Sequence, residues 1–309
     1  MIKMRLTILS LPVFAAAAFV LAGCSQETNT PEKENDSRVP VRVSSNIEVS
    51  RAVNNAWEEN DAIGIFMLNN GAVDTYSNVE YITPETNGAF APKNQVIYLP
   101  VDGTARDFVA YYPYQSSMAN DIYSIDLTNQ ADQSAIDFMT SDKANGEYSK
   151  VVDIDKTSPE VNFRFYHCLS KLRLNIKTGA GFAGDNSELA GMTVKLTNQQ
   201  TIGTYNVLTG DAVTITPGSN TIELLTAANG QSAEAIVFPS NDYTGMQFEF
   251  HVPNHKPYIW ELSKSTATKF EEGKSYIYNI TINKTEVIVN STIENWVDGN
   301  GAGETGSAE

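Results

Sequence analysis

Cysteine, histidine and charge are all scarce in this chain. Of its 309 residues two are cysteine, three are histidine, and 19% are charged. Two cysteines, at positions 24 and 168, do not make the framework of a disulfide-stapled scaffold. Three histidines give transition-metal chemistry little to work with. Basic residues are outnumbered, 21 against 37 acidic ones, for a formal net charge of -16. Such a surface repels phosphate backbones, which argues against a nucleic-acid partner, and otherwise serves solubility. Sustained helical period is missing too, since no segment beyond about ten residues repeats its apolar positions every three or four. Catalytic signatures are equally sparse. No G-x-S-x-G elbow occurs, and the carboxylates of "DIDK" (153–156) and "DFMTSD" (137–142) lack the spacing of a calcium loop. No enzymatic activity and no cofactor are therefore expected.

Two motifs resemble chemistry without its context. "GAGFAG" (179–184) satisfies G-x-G-x-x-G, but strand pattern resumes about eight residues later, leaving no helix to receive a pyrophosphate. It reads as a hairpin loop. His251 and His255 have helical zinc spacing, yet Pro253 lies between them and the flanks read as strand, so a polar turn is expected. His167 alternates with phenylalanines and reads as a hydrogen-bonded core residue.

What is present is β-forming. Apolar residues make up 41% of the chain, with 14 tyrosines and 13 phenylalanines, types that fit a pleated, half-buried surface. Behind a basic head (Lys3, Arg5), residues 6–22 form an uncharged run slightly short of a bilayer span. It ends in Leu21-Ala22-Gly23-Cys24, which matches a bacterial lipobox. Residues 1–23 are therefore expected to be a lipoprotein signal peptide and Cys24 to carry acyl chains, more than one being needed for firm anchorage. Palmitate is one such chain. Residues 24–38 lack large apolar side chains beyond the cysteine and read as a flexible tether. Ser25 suits delivery to the outer membrane and surface exposure. With Cys24 acylated, Cys168 has no partner and reads as a small buried hydrophobe.

From residue 39 onward period two dominates. Val39, Val41, Val43, Ile47 and Val49 share one face of a strand, and Arg42, Ser44, Asn46, Glu48 and Ser50 the other. Further strands are predicted at 61–68, 95–100, 106–114 and, with a slip of phase, 161–178. Others follow at 192–198, 212–217, 221–225, 234–239, 246–253, 258–263 and 275–297. Residues 131–148 read as irregular, with one helical turn near 135–140. Short strands between turn signals argue for an all-β sandwich or barrel. Length and the Thr157-Ser158-Pro159 break suggest an N-terminal sandwich over 39–160 and a C-terminal one over 161–298, with a disordered tail at 299–309.

Several stretches resemble one family in order. They are "SRAVNNAWEENDAIGIFM" (50–67), "VIYLPVDGTARDFVAYYPY" (96–114), "DQSAIDFMTS" (132–141), "FRFYHCLSKLRLNIKTG" (163–179), "FEEGKSYIYNITIN" (270–283) and "STIENW" (291–296). Together they resemble the fimbrillins, lipoprotein subunits of type V pili. The resemblance implies two transthyretin-like β-sandwich domains in tandem and cell adhesion as the function. It also implies assembly by strand exchange, in which an arginine-specific protease removes the first strand and another subunit's strand fills the groove. Arg51, followed by Ala52, ends the alternating strand and is the candidate processing site, with Arg38 and Arg42 as competing positions that would release little of it. Burying the five apolar side chains of 39–49 is worth about 8–15 kcal/mol before ordering costs. Val287, Val289, Ile293 and Val297 share one face of a candidate donor strand, which could equally pair within its own domain. Stalk, tip and anchor positions all stay open. So does a monomeric surface adhesin that binds a glycan or host protein without polymerising.

Overall fold

A computed structural model describes residues 38–47, 57–141, 150–295 and 304–307. The first half of the described chain runs through β1 (Arg42–Ile47), β2 (Ala62–Asn69), β3 (Ala72–Val73), β4 (Val79–Ile82) and β5 (Ala89–Pro92). It continues with β6 (Arg106–Tyr112), β7 (Ile122–Asp126), β8 (Met139–Thr140), β9 (Val151–Ile154) and β10 (Glu160–His167). Beyond Leu169 come β11 (Ser170–Thr178), β12 (Thr193–Gln199), β13 (Ile202–Asn206), β14 (Ala212–Ile215), β15 (Asn220–Glu223) and β16 (Leu225–Thr226). The last elements are β17 (Ser232–Val237), β18 (Gln247–His251), β19 (Tyr258–Glu261), β20 (Lys274–Ile282), β21 (Val287–Asn295) and β22 (Glu304–Ser307). Two single 3-10 turns, Ser187–Leu189 and Leu262–Lys264, are the only helix among the described residues. The chain is all-β.

Strands β2, β4, β5, β1, β10, β8 and β6 follow one another by hydrogen bonding, and β6 pairs back onto β2. The sheet is thereby closed like a barrel, with β3 and β9 attached at its margin. Closure removes the open edges that otherwise invite pairing. Its interior holds Val41, Val43, Ile63, Ile65, Phe108, Val161, Phe163 and Phe165 among others, all buried. A six-stranded sheet (β16-β17-β11-β20-β21-β22) and a four-stranded one (β15-β12-β18-β19) account for most of the second half. They share a core in which Leu172, Leu174, Tyr278 and Ile280 meet Val194, Leu196, Phe248 and Trp260.

A third apolar cluster joins residues of both halves: Phe66, Val109, Tyr111, Tyr123 and Phe138 with Leu169, Tyr205, Ile236 and Phe238. Above it lies the three-stranded sheet β14-β13-β7, in which β7 from the first half pairs with β13 from the second over five residue pairs. Gln130 adds a side-chain link. Its buried amide donates to Ile236 O at 3.0 Å and accepts from Ile236 N at 2.8 Å, as a neighbouring backbone would. Because β2 is buried on both faces, Ile63, Ile65 and Met67 inward and Phe66 and Leu68 outward, its sequence reads as a continuous apolar run.

Several expected elements differ in detail. Residues 95–100 form no extended ladder. Ile97 and Leu99 are buried there, but the pairing is one isolated bridge, Pro40 to Tyr98. The slip of phase in 161–178 is a change of sheet. β10 pairs with β1 and β8, the chain turns at Cys168 and Leu169, and β11 pairs with β17 and β20. The irregular stretch after 131 has one turn, with Asp137 N donating to Gln133 O at 3.1 Å, and then enters β8. Within the tail, Glu304–Ser307 form β22 along the outer edge of β21, satisfying ladder groups there.

Candidate functional site

Alternation in the first strand decides how it seats. Val41, Val43 and Ser45 point into the barrel and are buried, whereas Arg42 is exposed. On the outer face, parallel register places Arg42 beside Glu160 and Ser44 beside Asn162. Arg42 forms an ion pair with Glu160, and that hydrogen bond holds the Glu160 carboxyl below its ordinary pKa. Ser44 donates to the Asn162 amide oxygen. Burying Val41 and Val43 is worth about 3–6 kcal/mol before ordering costs.

Both edges of this segment are occupied. Val41 N donates to Ile97 O at 3.0 Å, and Leu99 N donates to Val39 O at 2.9 Å. The Arg38 guanidinium lies over the Tyr98 ring, 4.6 Å from its centre. From Arg42 onward, β1 pairs in parallel with β10 over six residue pairs and antiparallel with β5 at Val43–Phe90 and Ser44–Ala89. Ser45 N donates to Gly88 O at 2.8 Å. Strand β1 is thus an interior member of the closed sheet, although it comes from the start of the described chain. Taking it out would leave a slot between β5 and β10 with unpaired ladder groups on both walls, a template for strand addition.

Trp57 belongs to the same core as Val41 and Val43. Its ring is buried and stands edge-on to Phe90, Tyr112 and Phe165 at centroid distances of 5.0, 5.3 and 5.3 Å. Phe90 and Phe165 are also the register partners of Val43 and Ile47. Trp57 and Val43, the register partner of Phe90, therefore share one aromatic neighbour. The indole nitrogen is buried without a hydrogen-bond partner among the described residues.

Of the residues singled out in the sequence, Val41 and Val43 lie in the slot, Val39 is half-buried at its mouth, and Ile47 is in register with Phe165. Cys24, Val49, Arg51, Ala52 and Val297 lie outside the described residues. Val287 and Val289 are buried in the second core, and Ile293 is 42% exposed at the end of β21. Strand β21 is paired with β20 along its whole length, from Val287–Ile282 to Asn295–Lys274. The sequence does not announce the part of Trp57 or Gly88, because each acts through residues distant along the chain.

Other candidate residues sit in structural roles. His167 is buried with Nδ1 3.0 Å from Asp137 Oδ1, and Cys168 is fully buried in the joining cluster. His251 Nε2 lies 3.2 Å from Glu249, whereas His255 Nε2 lies 3.5 Å from Glu188. The "GAGFAG" segment is a loop pinned by Phe182 and Lys284, followed by a single 3-10 turn. Among the described residues no group of three His, Cys, Asp or Glu could hold a metal. No helix among them is long and apolar enough to cross a membrane.

Fold and slot together define an all-β protein whose first sheet is completed by a strand from its N-terminal side. A family model described as fimbrillin-like matches residues 50–296. A Bacteroides uniformis protein with the provisional name fimbrium subunit Fim1C is 42% identical over 301 residues, covering 95% of this chain and 96% of the relative. The crystal structure of a protein from the same species, provisionally described as a cell adhesion protein, aligns with TM-score 0.75 at 40% identity, covering 85% of this chain and 99% of that one. A similarly described protein from Bacteroides ovatus has TM-score 0.67 at 24% identity, with the same coverage of 85% and 99%, and attests the fold. The chain belongs to the fimbrillin-like family.

Proposed function

We propose that this protein is a cell-surface fimbrial subunit that supports adhesion and joins its neighbours by exchange of β1. One observation carries the reading: β1 is an interior strand of a closed sheet, yet it enters from the N-terminal side and precedes Arg51 in the chain. In this reading the signal peptide directs export and Cys24 carries the lipid that holds the precursor at the outer membrane. Cleavage between Arg51 and Ala52 then releases strand and lipid together. The fold reading that goes with it is two transthyretin-like β-sandwich domains in tandem. The sequence suggests a break at 160/161, but β10 (Glu160–His167) pairs with β1 and β8, so in this reading the first domain runs on to the change of sheet at Cys168 and Leu169.

The incoming strand would run parallel to β10 and place small apolar residues where Val41 and Val43 now sit. It would restore the same contacts, so the exchange needs neither cofactor nor nucleotide. The full pairing of β21 favours a subunit that accepts a strand over one that donates Val287–Asn295, which suits tip or accessory positions; an anchor would instead keep β1 and its lipid. A monomeric adhesin for a glycan or host protein is the competing reading.

Treating the precursor with an arginine-specific protease and sequencing the new N-terminus tests the proposal. Size-exclusion chromatography and electron microscopy with a donor subunit then follow assembly. The expected result is an N-terminus at Ala52 and a strand-complemented complex. Resistance of the Arg51–Ala52 bond, or a processed chain that never takes up a strand, would count against it.

A further inference from the structure

A cleft of about 390 Å³ opens where the end of β12, the segment after β14 and the connection from β17 to β18 meet. None of these strands pairs with β1. Its polar wall is made by Asn198, Gln199, Gln200, Asn241 and Asp242, and Phe238 and Met246 give it a small apolar floor. The wall is built by a bulge: the register of β12 against β15 shifts between Leu196 and Gln199, and Asn198 takes a φ of 56°. Bulges re-aim side chains in this way and concentrate near binding sites. Asn198 Nδ2 donates to Thr244 O at 2.6 Å, tying the two rims together.

The wall's hydrogen-bonding capacity is only partly used. Gln199 is 2% exposed, and its amide nitrogen donates to Thr197 O at 3.2 Å. No hydrogen bond reaches its Oε1 among the described residues, which leaves that oxygen available as an acceptor. Asp242 Oδ1 accepts from Thr244 N at 2.9 Å, and its second oxygen has no hydrogen bond among the described residues. Gln200 and Asn241 are exposed at the rim. Among the described residues no lysine, arginine or histidine lines the cleft, so an anionic ligand would meet no counter-charge there and would face a net charge of -16. The complementary ligand is uncharged, rich in groups that both donate and accept, and has a small apolar face.

We propose that this cleft binds a neutral carbohydrate of one or two pyranose units. Amide side chains match sugar hydroxyls because each offers both a donor and an acceptor. The volume lies within the roughly 300–1,000 Å³ of ligand sites. A peptide would want apolar pockets for its side chains, and this wall is mostly amide and carboxylate.

The test screens the full chain against immobilised neutral hexose and N-acetylhexosamine oligosaccharides, beside sialylated and sulfated glycans and neutral peptides. Hits are titrated in solution by calorimetry. Binding of a neutral glycan is expected. Gln200→Ala combined with Asn241→Ala should weaken it at least tenfold without changing the melting temperature, both residues being exposed. Gln199→Leu, of similar volume, should weaken it as well. The proposal is overturned if only acidic glycans or peptides bind, if nothing binds, or if neutral-glycan binding ignores the exposed pair. Strand exchange is read by proteolysis and chromatography, so the two ideas fail separately.

Discussion

Val43 on β1 and Val161 on β10 lie side by side in parallel register, both buried in the closed sheet. Strands β1 and β10 thus contribute adjacent side chains to the same core. Val43→Ala should cost about 1–3 kcal/mol, since it deletes buried methyl groups and leaves a small cavity. Denaturant unfolding of the two chains measures it, and an unchanged midpoint would mean that β1 adds nothing to the core.

Gly88 controls the fit of β1 from the neighbouring wall. Its φ is +77°, and a Cβ there would collide with the Ser45 carbonyl oxygen. Gly88→Ala should unseat the C-terminal part of β1 and speed cleavage at Arg51 several-fold in limited proteolysis. Equal cleavage rates would show that seating of β1 does not gate access to that bond.

Trp57 should report occupancy of the slot. With β1 removed, its ring loses part of the cover over Phe90 and Phe165, so its emission should shift to longer wavelength and return when a synthetic peptide of residues 39–50 is added. Measuring the difference in a Trp260→Phe, Trp296→Phe background isolates this signal. Trp57→Ala should cost about 3–5 kcal/mol, as truncation of large buried aromatics does.

An alkaline limit is written into the second core. Burial pushes the Tyr276 phenol up to about 12 from its ordinary 10.0, despite a hydrogen bond received from Glu271 N at 2.8 Å. A raised folded-state pKa gives stability that is fully present below about pH 10 and is lost as pH rises toward 12. Tyr111, Tyr123 and Tyr278 are pushed further up by burial. The melting temperature should therefore fall steeply above pH 10, and Tyr276→Phe should make that fall shallower. A parallel pH profile for the variant would remove Tyr276 from the cause.

The strand that matters most was plain in the sequence, because Val41 and Val43 alternate with Arg42 and Ser44 and a half-buried strand must do so. Its neighbours were not plain. Nothing local tells Val43 that it will lie between Phe90 and Val161, since pairing partners 47 and 118 residues away leave no periodic trace. Strand β13 (Ile202–Asn206) escaped for a related reason: Gly203 and Thr204 dilute its apolar pattern, and its partner β7 lies about eighty residues earlier. The slip at Cys168 was visible, but its meaning, a passage from one sheet to the next, needed three dimensions. The cleft was hidden because its amides are dispersed over β12 and the β17–β18 connection, where polar residues ordinarily signal only loops.

Gln130 fastens the two halves together by imitating a strand neighbour for Ile236, beside the ladder that β7 and β13 share. Tension passing from one half to the other would load this clasp together with the ladder beside it. A subunit so fastened would resist the parting of its halves through ladder and clasp together.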